Sequence, residues 1–231
     1  VYVSTNTILL WIFSPWRPTF SFRFHPLREL LPFSSKLLFT SFFTHINNNI
    51  FSALLGRFYT IQQAGYYSQG SKWTTMGYST IFGMINSVGQ PVFREASEDA
   101  QRLQNIFRKL MRFTAFVSFP AMLGLAIVSQ ELIVISITEK WLPCVPVMQI
   151  LCVWGAFMPI STLYSNLMNS IGRPNIYMWN TIALGIFQLL CVWGSYPYGL
   201  NVMLIVYTAA NIFWLLIWHY FAHKHIGISL F

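Results

Sequence analysis

The stretch LMRFTAFVSFPAMLGLAIVS, Leu110 to Ser129, decides the fold class of this chain. It contains one charged side chain, Arg112, which lies close to its beginning. An α-helix needs about 20 predominantly apolar residues to cross the hydrocarbon core of a bilayer. In that core every backbone polar group must be satisfied within the protein, and a helix achieves this within one segment. The stretch therefore predicts a membrane-spanning helix.

The whole chain has a composition that fits such helices. Of its 231 residues, 55% are hydrophobic and only 9% are charged, and the mean hydropathy is +0.52. A soluble domain has roughly a quarter of its residues charged, so lipid is the predicted solvent. The formal net charge of +8 is spread between apolar runs. This distribution favours membrane topology over nucleic-acid binding, and no nucleic-acid partner is predicted.

The apolar runs on either side of this stretch predict an all-α fold, a polytopic membrane bundle of about six complete transmembrane helices. The opening run, residues 1–13, is too short to cross a bilayer and is interpreted as the end of a span whose beginning is missing. Residues 14–33 form a polar linker, residues 34–225 form the six-helix lobe, and residues 226–231 form a tail. The helices are predicted at about 34–57, 73–93, 97–129, 145–170, 175–194 and 199–222. Pro91 is expected to end the second helix, whereas Pro120 and Pro159 are expected to lie inside the third and fourth.

The distribution of cations supports this layout. With residues 14–33 on the cytoplasmic side, the cytoplasmic segments contain 11 of the 14 Lys and Arg residues. Orientation follows such a bias in short loops. The cytoplasmic stretch REASEDAQRLQNIFRKLMRF, Arg94 to Phe113, is interpreted as an amphipathic helix. Its apolar residues, such as Leu103 and Phe107, would lie on the lipid interface while its cations meet anionic head groups.

Two of the predicted spans carry stripes of polar residues. In the first, Ser41, His45, Asn48 and Ser52 follow the spacing i, i+4, i+7, i+11, which places them on one face of a helix, and Asn49 widens that face. In the second, Ser79, Gly83, Asn86 and Gln90 repeat this spacing, and Lys72 precedes them on the same face.

Polar stripes on membrane helices face other protein or a water-filled cavity. A single Asn or Ser suits an interhelical hydrogen bond as well as a cavity wall. Two stripes that extend over several turns favour a hydrated cavity. The predicted cavity lining is Ser41, His45, Asn48, Asn49, Ser52, Lys72, Ser79, Asn86 and Gln90.

The sequence contains no catalytic motif. It has no HExxH, no glycine-rich phosphate loop, no GxSxG and no pair of carboxylates within a span. The three cysteines, Cys144, Cys152 and Cys191, are too dispersed for a metal site or a disulfide framework. No catalytic residue, metal or cofactor is therefore predicted.

Three stretches resemble a known family. Gly56–Trp73, with the sequence GRFYTIQQAGYYSQGSKW, resembles the short outer connection between two of its spans. Thr138–Leu151, with the sequence TEKWLPCVPVMQIL, resembles the start of a span. Asn169–Asn175, with the sequence NSIGRPN, resembles the turn between two spans. On these residues the chain resembles the polysaccharide transport branch of the multidrug/oligosaccharidyl-lipid/polysaccharide flippases, which are similar in fold to MATE exporters. The resemblance extends from about residue 32 to residue 224.

The resemblance implies a bacterial inner-membrane protein that moves a lipid-linked glycan, for lipopolysaccharide or exopolysaccharide synthesis, to the periplasmic leaflet by alternating access. The six helices would be the second lobe of such a flippase, and residues 14–33 the linker between the lobes. Its partners would be the lipid-linked glycan, membrane lipids and a first lobe of the same protein. The polar stripes would exchange hydrogen bonds with sugar hydroxyls, and Lys72, or less favourably Arg57, would meet the pyrophosphate.

Three other interpretations stay open at the level of sequence. A MATE-type drug or cation exporter would usually need acidic residues in the interior of a lobe, and the six acidic residues of this sequence all lie near predicted span ends or in loops. A membrane-embedded enzyme would need a catalytic His, Asp or Glu arrangement, which His45 alone does not provide. The chain could also be an inactive truncated fragment of a flippase.

Overall fold

The computed structural model describes residues 2–13, 31, 34–35, 38–39, 41–42, 44–45 and 54–227. The chain divides into two compact units, residues 1–35 and residues 36–231. The first unit contains helix α1 (Tyr2–Phe13), whose residues 9–13 are exposed and apolar, and further helical positions at residues 31, 34 and 35. The opening run is therefore helical, whereas its interpretation as the end of a longer span stays a prediction.

The second unit consists of helices and short connections throughout its described part. The α-helices with described bounds are α2 (Ile61–Glu95), α3 (Ala100–Ile127), α4 (Ser129–Ser136), α5 (Val145–Ser170), α6 (Pro174–Ser195) and α7 (Leu200–Ile226). Residues 54–58 are also helical. Two 3-10 helices, Glu139–Cys144 and Tyr196–Tyr198, precede α5 and α7. The all-α prediction is confirmed.

Four of the described helical segments are long and apolar enough to cross a membrane: Ala100–Ile127, Glu139–Ser170, Pro174–Tyr198 and Leu200–Ile226. They correspond to the third to sixth predicted spans. The second predicted span lies within α2, a helix of 35 residues that is richer in polar side chains than these four. Half of the first predicted span lies outside the described residues, and its described positions are helical.

The connection before α2 is shorter than the sequence suggested. Thr60 caps α2: its hydroxyl accepts a hydrogen bond from the backbone N–H of Gln63 at 3.3 Å, and the Gln63 side chain accepts one from the N–H of Thr60. This capping box satisfies free N–H groups at the helix start. The stretch Gly56–Trp73 is therefore mostly the first turns of α2, and its interpretation as a connection between spans is wrong.

Two further expectations are also wrong, one about the end of α2 and one about an interfacial helix after it. Pro91 does not end α2, which continues to Glu95, because a proline can be accommodated inside a long membrane helix as a local adjustment. The described stretch between the second and third spans contains no separate interfacial helix. Leu103 and Phe107 are 2% and 0% exposed, because they are part of α3 and pack into the interior of the bundle.

Helix α5 is the centre of the bundle, since α2, α3 and α7 all pack against it. Helices α2 and α5 run in the same direction, and their contacts keep a nearly constant sequence separation. The hydroxyl oxygen of Thr74 lies 3.8 Å from the sulfur of Cys152, 78 residues later in the chain. Asn86 forms a side-chain hydrogen bond with Asn166, 80 residues later. Helix α3 runs in the opposite direction to α5. Its Ser118 hydroxyl donates to the carbonyl of Ala156 at 2.8 Å, and the carbonyl of Ala126, later in α3, accepts from Gln149, earlier in α5, at 3.3 Å.

Glycines allow α2 and α5 to approach closely. A Cβ atom placed on Gly70 of α2 would lie 3.1 Å from Cγ1 of Val147 and 3.2 Å from the backbone nitrogen of Met148. One placed on Gly155 of α5 would lie 3.2 Å from Cγ2 of Thr74. Small residues at these positions are typical of helix packing in membranes, where apolar burial alone does not drive association. We call this contact the α2–α5 seam.

The outward faces of the apolar helices carry large hydrophobic side chains. Phe116 of α3 is 79% exposed and Trp193 of α6 is 75% exposed. In water such residues would form an unfavourable surface, whereas in a bilayer they contact acyl chains. The structure is therefore that of a helix bundle whose outer surface suits lipid.

Alanine substitutions at two glycines of α2 provide a test of the seam. Gly70→Ala should destabilise the protein by roughly 1–3 kcal/mol, because the new methyl group meets the backbone of α5. Gly83→Ala is the matched control: nothing lies within 4 Å of its Cβ position, so it should be neutral or stabilise by roughly 0.5–1 kcal/mol. The melting temperatures of the purified variants in lipid nanodiscs measure both effects, and a Gly70→Ala protein as stable as the control would contradict the close contact.

Candidate functional site

The predicted stripe on α2 lies largely outside the packed interior of the bundle. Lys72, Ser79 and Gln90 are exposed, and so is Gly83 between them. Two further polar residues, Ser68 and Thr75, are also exposed and extend the same strip toward the start of the helix. We call this strip the polar face of α2; its members are Ser68, Lys72, Thr75, Ser79, Gly83 and Gln90.

The polar face makes little use of its side chains for packing. The Ser79 hydroxyl donates to the carbonyl of Met76 on its own helix at 3.0 Å. Lys72 forms no ion pair with any residue that the structure describes. The backbone carbonyl of Gln90, rather than its side chain, accepts a hydrogen bond from Ser170 at 3.2 Å. These side chains remain available to groups outside the described bundle.

Asn86 departs from the rest of the predicted stripe. It is partly buried, and its side-chain oxygen accepts a hydrogen bond from Nδ2 of Asn166 on α5 at 3.1 Å. An amide pair of this kind gives each side chain a partner in an apolar environment and joins the two helices. For Asn86, the structure supports an interhelical hydrogen bond rather than a cavity wall.

The stripe predicted on the first span is described only in part. Ser41 and His45 are helical and exposed. Asn48, Asn49 and Ser52 lie outside the described residues. That these five residues line a cavity together with α2 stays a prediction.

The structure adds a site that the sequence reasoning missed. A cavity of about 300 Å³ lies between α2, α5 and α7. The α2 residues that line it are Tyr67, Ser71, Thr74, Thr75 and Tyr78. Trp154 of α5 and Tyr207 of α7 complete its polar wall, and no charged side chain lines it among the described residues. We call this cavity the hydroxyl recess.

A sequence signal for the recess exists. Tyr67, Ser71, Thr74 and Tyr78 have the same i, i+4, i+7, i+11 spacing as the stripe predicted on this helix, and they lie roughly a third of a turn away from it. Tyrosine and threonine near a span end also fit an interfacial position, so this spacing alone does not indicate a recess. Thr75 is exposed and also lines the recess, so the recess and the polar face adjoin each other.

The described residues show little charge at either surface. Lys72 is the one cation on the polar face, and no carboxylate accompanies it there among the described residues. No group of three or more His, Cys, Asp or Glu side chains that could hold a metal ion occurs in the described part of the chain.

Near the start of α2, burial raises the pKa of Tyr59 above its ordinary value, and its hydroxyl donates to the carbonyl of Tyr196 at 2.7 Å.

These features define a multi-pass helical membrane protein with a polar face and an adjoining neutral recess. Residues 1–146 match the family described as polysaccharide biosynthesis protein, and the chain belongs to that family. This result confirms the resemblance to the polysaccharide transport branch of the flippases. Together with the four apolar helices, it is consistent with the expected inner-membrane location.

Three curated relatives share moderate similarity with the chain. It is 25% identical to the teichuronic acid biosynthesis protein TuaB of Bacillus subtilis (strain 168) over 187 residues, which are 80% of this chain and 39% of the relative. It is 28% identical to an uncharacterized membrane protein in the cps region of Klebsiella pneumoniae, covering 70% of this chain and 33% of the relative. It is 27% identical to the lipopolysaccharide biosynthesis protein WzxC of Escherichia coli (strain K12), covering 74% and 35%.

The chain thus spans well under half the length of the curated relatives it matches. No solved structure matches it significantly.

A double-mutant cycle tests the assignment of Asn86. Asn86→Ala and Asn166→Ala should each destabilise the protein, and their coupling energy should be roughly 0.5–1.5 kcal/mol, because each change leaves the other amide unpaired. Ser79→Ala serves as the control and should be nearly neutral, since among the described residues its hydroxyl bonds only to its own helix. The free energy of unfolding in mixed micelles measures the cycle. Additive effects of the two Asn substitutions would show that the amide pair is not formed.

Proposed function

We propose that this chain contributes the second lobe of a transporter that moves a lipid-linked glycan from the cytoplasmic to the periplasmic leaflet of the bacterial inner membrane. A first lobe of the same kind, with which the polar face of α2 would enclose the passage, is part of this proposal. The protein would act by alternating access and would change no covalent bond of its substrate, so we propose a transporter rather than an enzyme.

One observation carries this proposal: the polar face of α2 is exposed on the described bundle although the neighbouring helices expose apolar side chains. Hydroxyls, an amide and an ammonium group turned toward lipid would be costly. A partner surface or a water-filled passage would remove that cost. The length of the strip, from Ser68 to Gln90, suits a passage better than a single contact.

The chemistry of the polar face fits a glycan. Sugar hydroxyls both donate and accept hydrogen bonds, as do the hydroxyls of Ser68, Thr75 and Ser79. Exchanging water for such partners changes the free energy little, so a glycan could pass without being held tightly. Lys72 could meet the pyrophosphate of a lipid-linked sugar through a charge-assisted hydrogen bond.

The names of the relatives support a glycan as the cargo. Two of them are named for the biosynthesis of teichuronic acid and of lipopolysaccharide, and the third is encoded in a cps region. These names concern different polymers, so what they share is the class of substrate rather than a particular sugar.

Cysteine labelling tests whether the polar face is solvated. In a background whose native cysteines are replaced by alanine, Ser79→Cys should react with a membrane-impermeant maleimide in intact cells, because thiolate forms in water. Phe116→Cys lies near the middle of α3 on its apolar surface and should not react. The fraction of labelled protein measures the difference, and equal protection of both positions would contradict a water-filled passage.

Deletion of the gene tests transport itself. Cells without it should lose surface polysaccharide and accumulate lipid-linked glycan in the cytoplasmic leaflet, and re-expression should restore export. Lys72→Ala should reduce the restored export roughly tenfold or more if Lys72 binds pyrophosphate, whereas Lys72→Arg should retain most of it. Quantified lipid-linked glycan provides the measurement. Unchanged polysaccharide and unchanged lipid-linked glycan after deletion would overturn the proposed function.

A further inference from the structure

We propose that the hydroxyl recess is a binding site for a single pyranose ring of the transported glycan, separate from the open passage along the polar face. This inference rests on the proposed function for the identity of the cargo. The site itself is defined by side chains within the described bundle.

The donors and acceptors of the recess match those of a sugar. Tyr67, Tyr78 and Tyr207 bring phenol groups to it, and Ser71 and Thr74 bring aliphatic hydroxyls. A hydroxyl can donate one hydrogen bond and also accept; the Thr74 hydroxyl, which already donates to the carbonyl of Gly70 at 2.9 Å, can accept from a ligand. Since the described lining contains no charged side chain, the recess selects for neutral hydroxyl groups rather than for phosphate or carboxylate.

Trp154 provides an unused donor. Its indole N–H forms no hydrogen bond with any residue that the structure describes, and its side chain is only partly buried at the wall of the recess. An indole can only donate at this atom, and a Trp side chain in an apolar environment usually finds a partner for it. A sugar hydroxyl or ring oxygen inside the recess would accept this hydrogen bond.

The aromatic side chains of the recess suit the apolar faces of a pyranose ring. Such a ring has apolar C–H faces and a polar rim of hydroxyls. Four aromatic side chains line the recess: Tyr67, Tyr78, Trp154 and Tyr207. Their ring faces can cover the C–H surface while their polar atoms reach the rim. An acyclic polyol has the same hydroxyls but no rigid apolar face, so it should bind less well.

The size of the recess restricts its ligand. A volume of about 300 Å³ lies at the lower limit of ligand pockets in proteins. It suits one sugar ring rather than a complete repeating unit. Because Thr75 belongs both to the recess and to the polar face, a ring in the recess could stay linked to sugars that lie along that face.

The position of Lys72 completes this arrangement. It lies about one helical turn before Thr75 and is exposed on the polar face rather than in the recess. A charged substituent of the glycan could therefore meet Lys72 while a neutral ring occupies the recess. The two surfaces would separate recognition of charge from recognition of ring shape.

Saturation-transfer NMR with the full chain in lipid nanodiscs tests the site without a sugar-based detergent. The probes are methyl β-glucopyranoside and methyl β-galactopyranoside, with sorbitol as the acyclic control. Saturation of at least one pyranoside, and weak or no saturation of sorbitol, is expected. Equal signals for sorbitol and the pyranosides would overturn the proposed ring recognition. Absence of any signal would assign the recess to water alone and would also overturn the inference.

Variants connect the signal to the recess. Tyr78→Phe removes one hydroxyl and retains the ring, and Trp154→Phe removes the indole N–H; each should weaken pyranoside binding roughly tenfold. Trp179→Phe is the matched control, because Trp179 is 65% exposed on α6 and does not line the recess. Melting temperatures identify any variant that fails to fold. Binding that persists unchanged in Tyr78→Phe and Trp154→Phe would place the sugar elsewhere and overturn the inference.

The outcome is separable from that of the proposed function. Pyranoside binding that depends on Trp154 supports the recess even if gene deletion leaves export unchanged. The converse result is export that depends on this chain together with pyranoside binding that is unchanged in the Trp154→Phe and Tyr78→Phe variants. That result would support transport and overturn the recess as the sugar site.

Discussion

The close contact between α2 and α5 is the interaction on which the rest of the lobe depends. Gly70 brings α2 against the backbone at the start of α5, and the Asn86–Asn166 hydrogen bond fixes the same two helices roughly four to five turns further along. Without these small residues the two helices would stand apart by the width of a side chain. Their parallel register then determines which residues of α2 face the interior and which do not.

This register gives α2 two sides with different roles. The inner side, with Gly70 and Thr74, forms the seam, and it also forms the wall of the hydroxyl recess where α7 closes the space that the seam leaves open. The outer side carries the polar face. A helix at a simple boundary between protein and lipid has an apolar outer side, so a polar outer side fits the proposed passage.

The α6–α7 pair supports the far wall of the recess. Gln188 of α6 donates to the side-chain oxygen of Asn211 at 2.8 Å, and Asn211 donates to the carbonyl of Tyr207 at 2.8 Å. Trp214 donates to Asn180 at 2.8 Å across the same pair of helices. These polar side chains inside the membrane bundle are thus paired with one another, and this pairing holds the segment of α7 that contains Tyr207.

The sequence by itself determined the helical membrane fold, because runs of apolar residues of bilayer length leave the backbone no other way to satisfy its hydrogen bonds. It also determined helix α5 to the residue and the polar spacing on α2. Only the tertiary structure decided that Asn86 forms a hydrogen bond with α5 while Ser79 remains exposed. The helical period places both residues on one face of α2, but it does not show which part of that face a neighbouring helix covers. The structure also decided that Leu103 and Phe107 pack inside the bundle and that Tyr67 to Tyr78 enclose a recess. These outcomes depend on the distance between helices, which is a property of pairs of residues far apart in the chain.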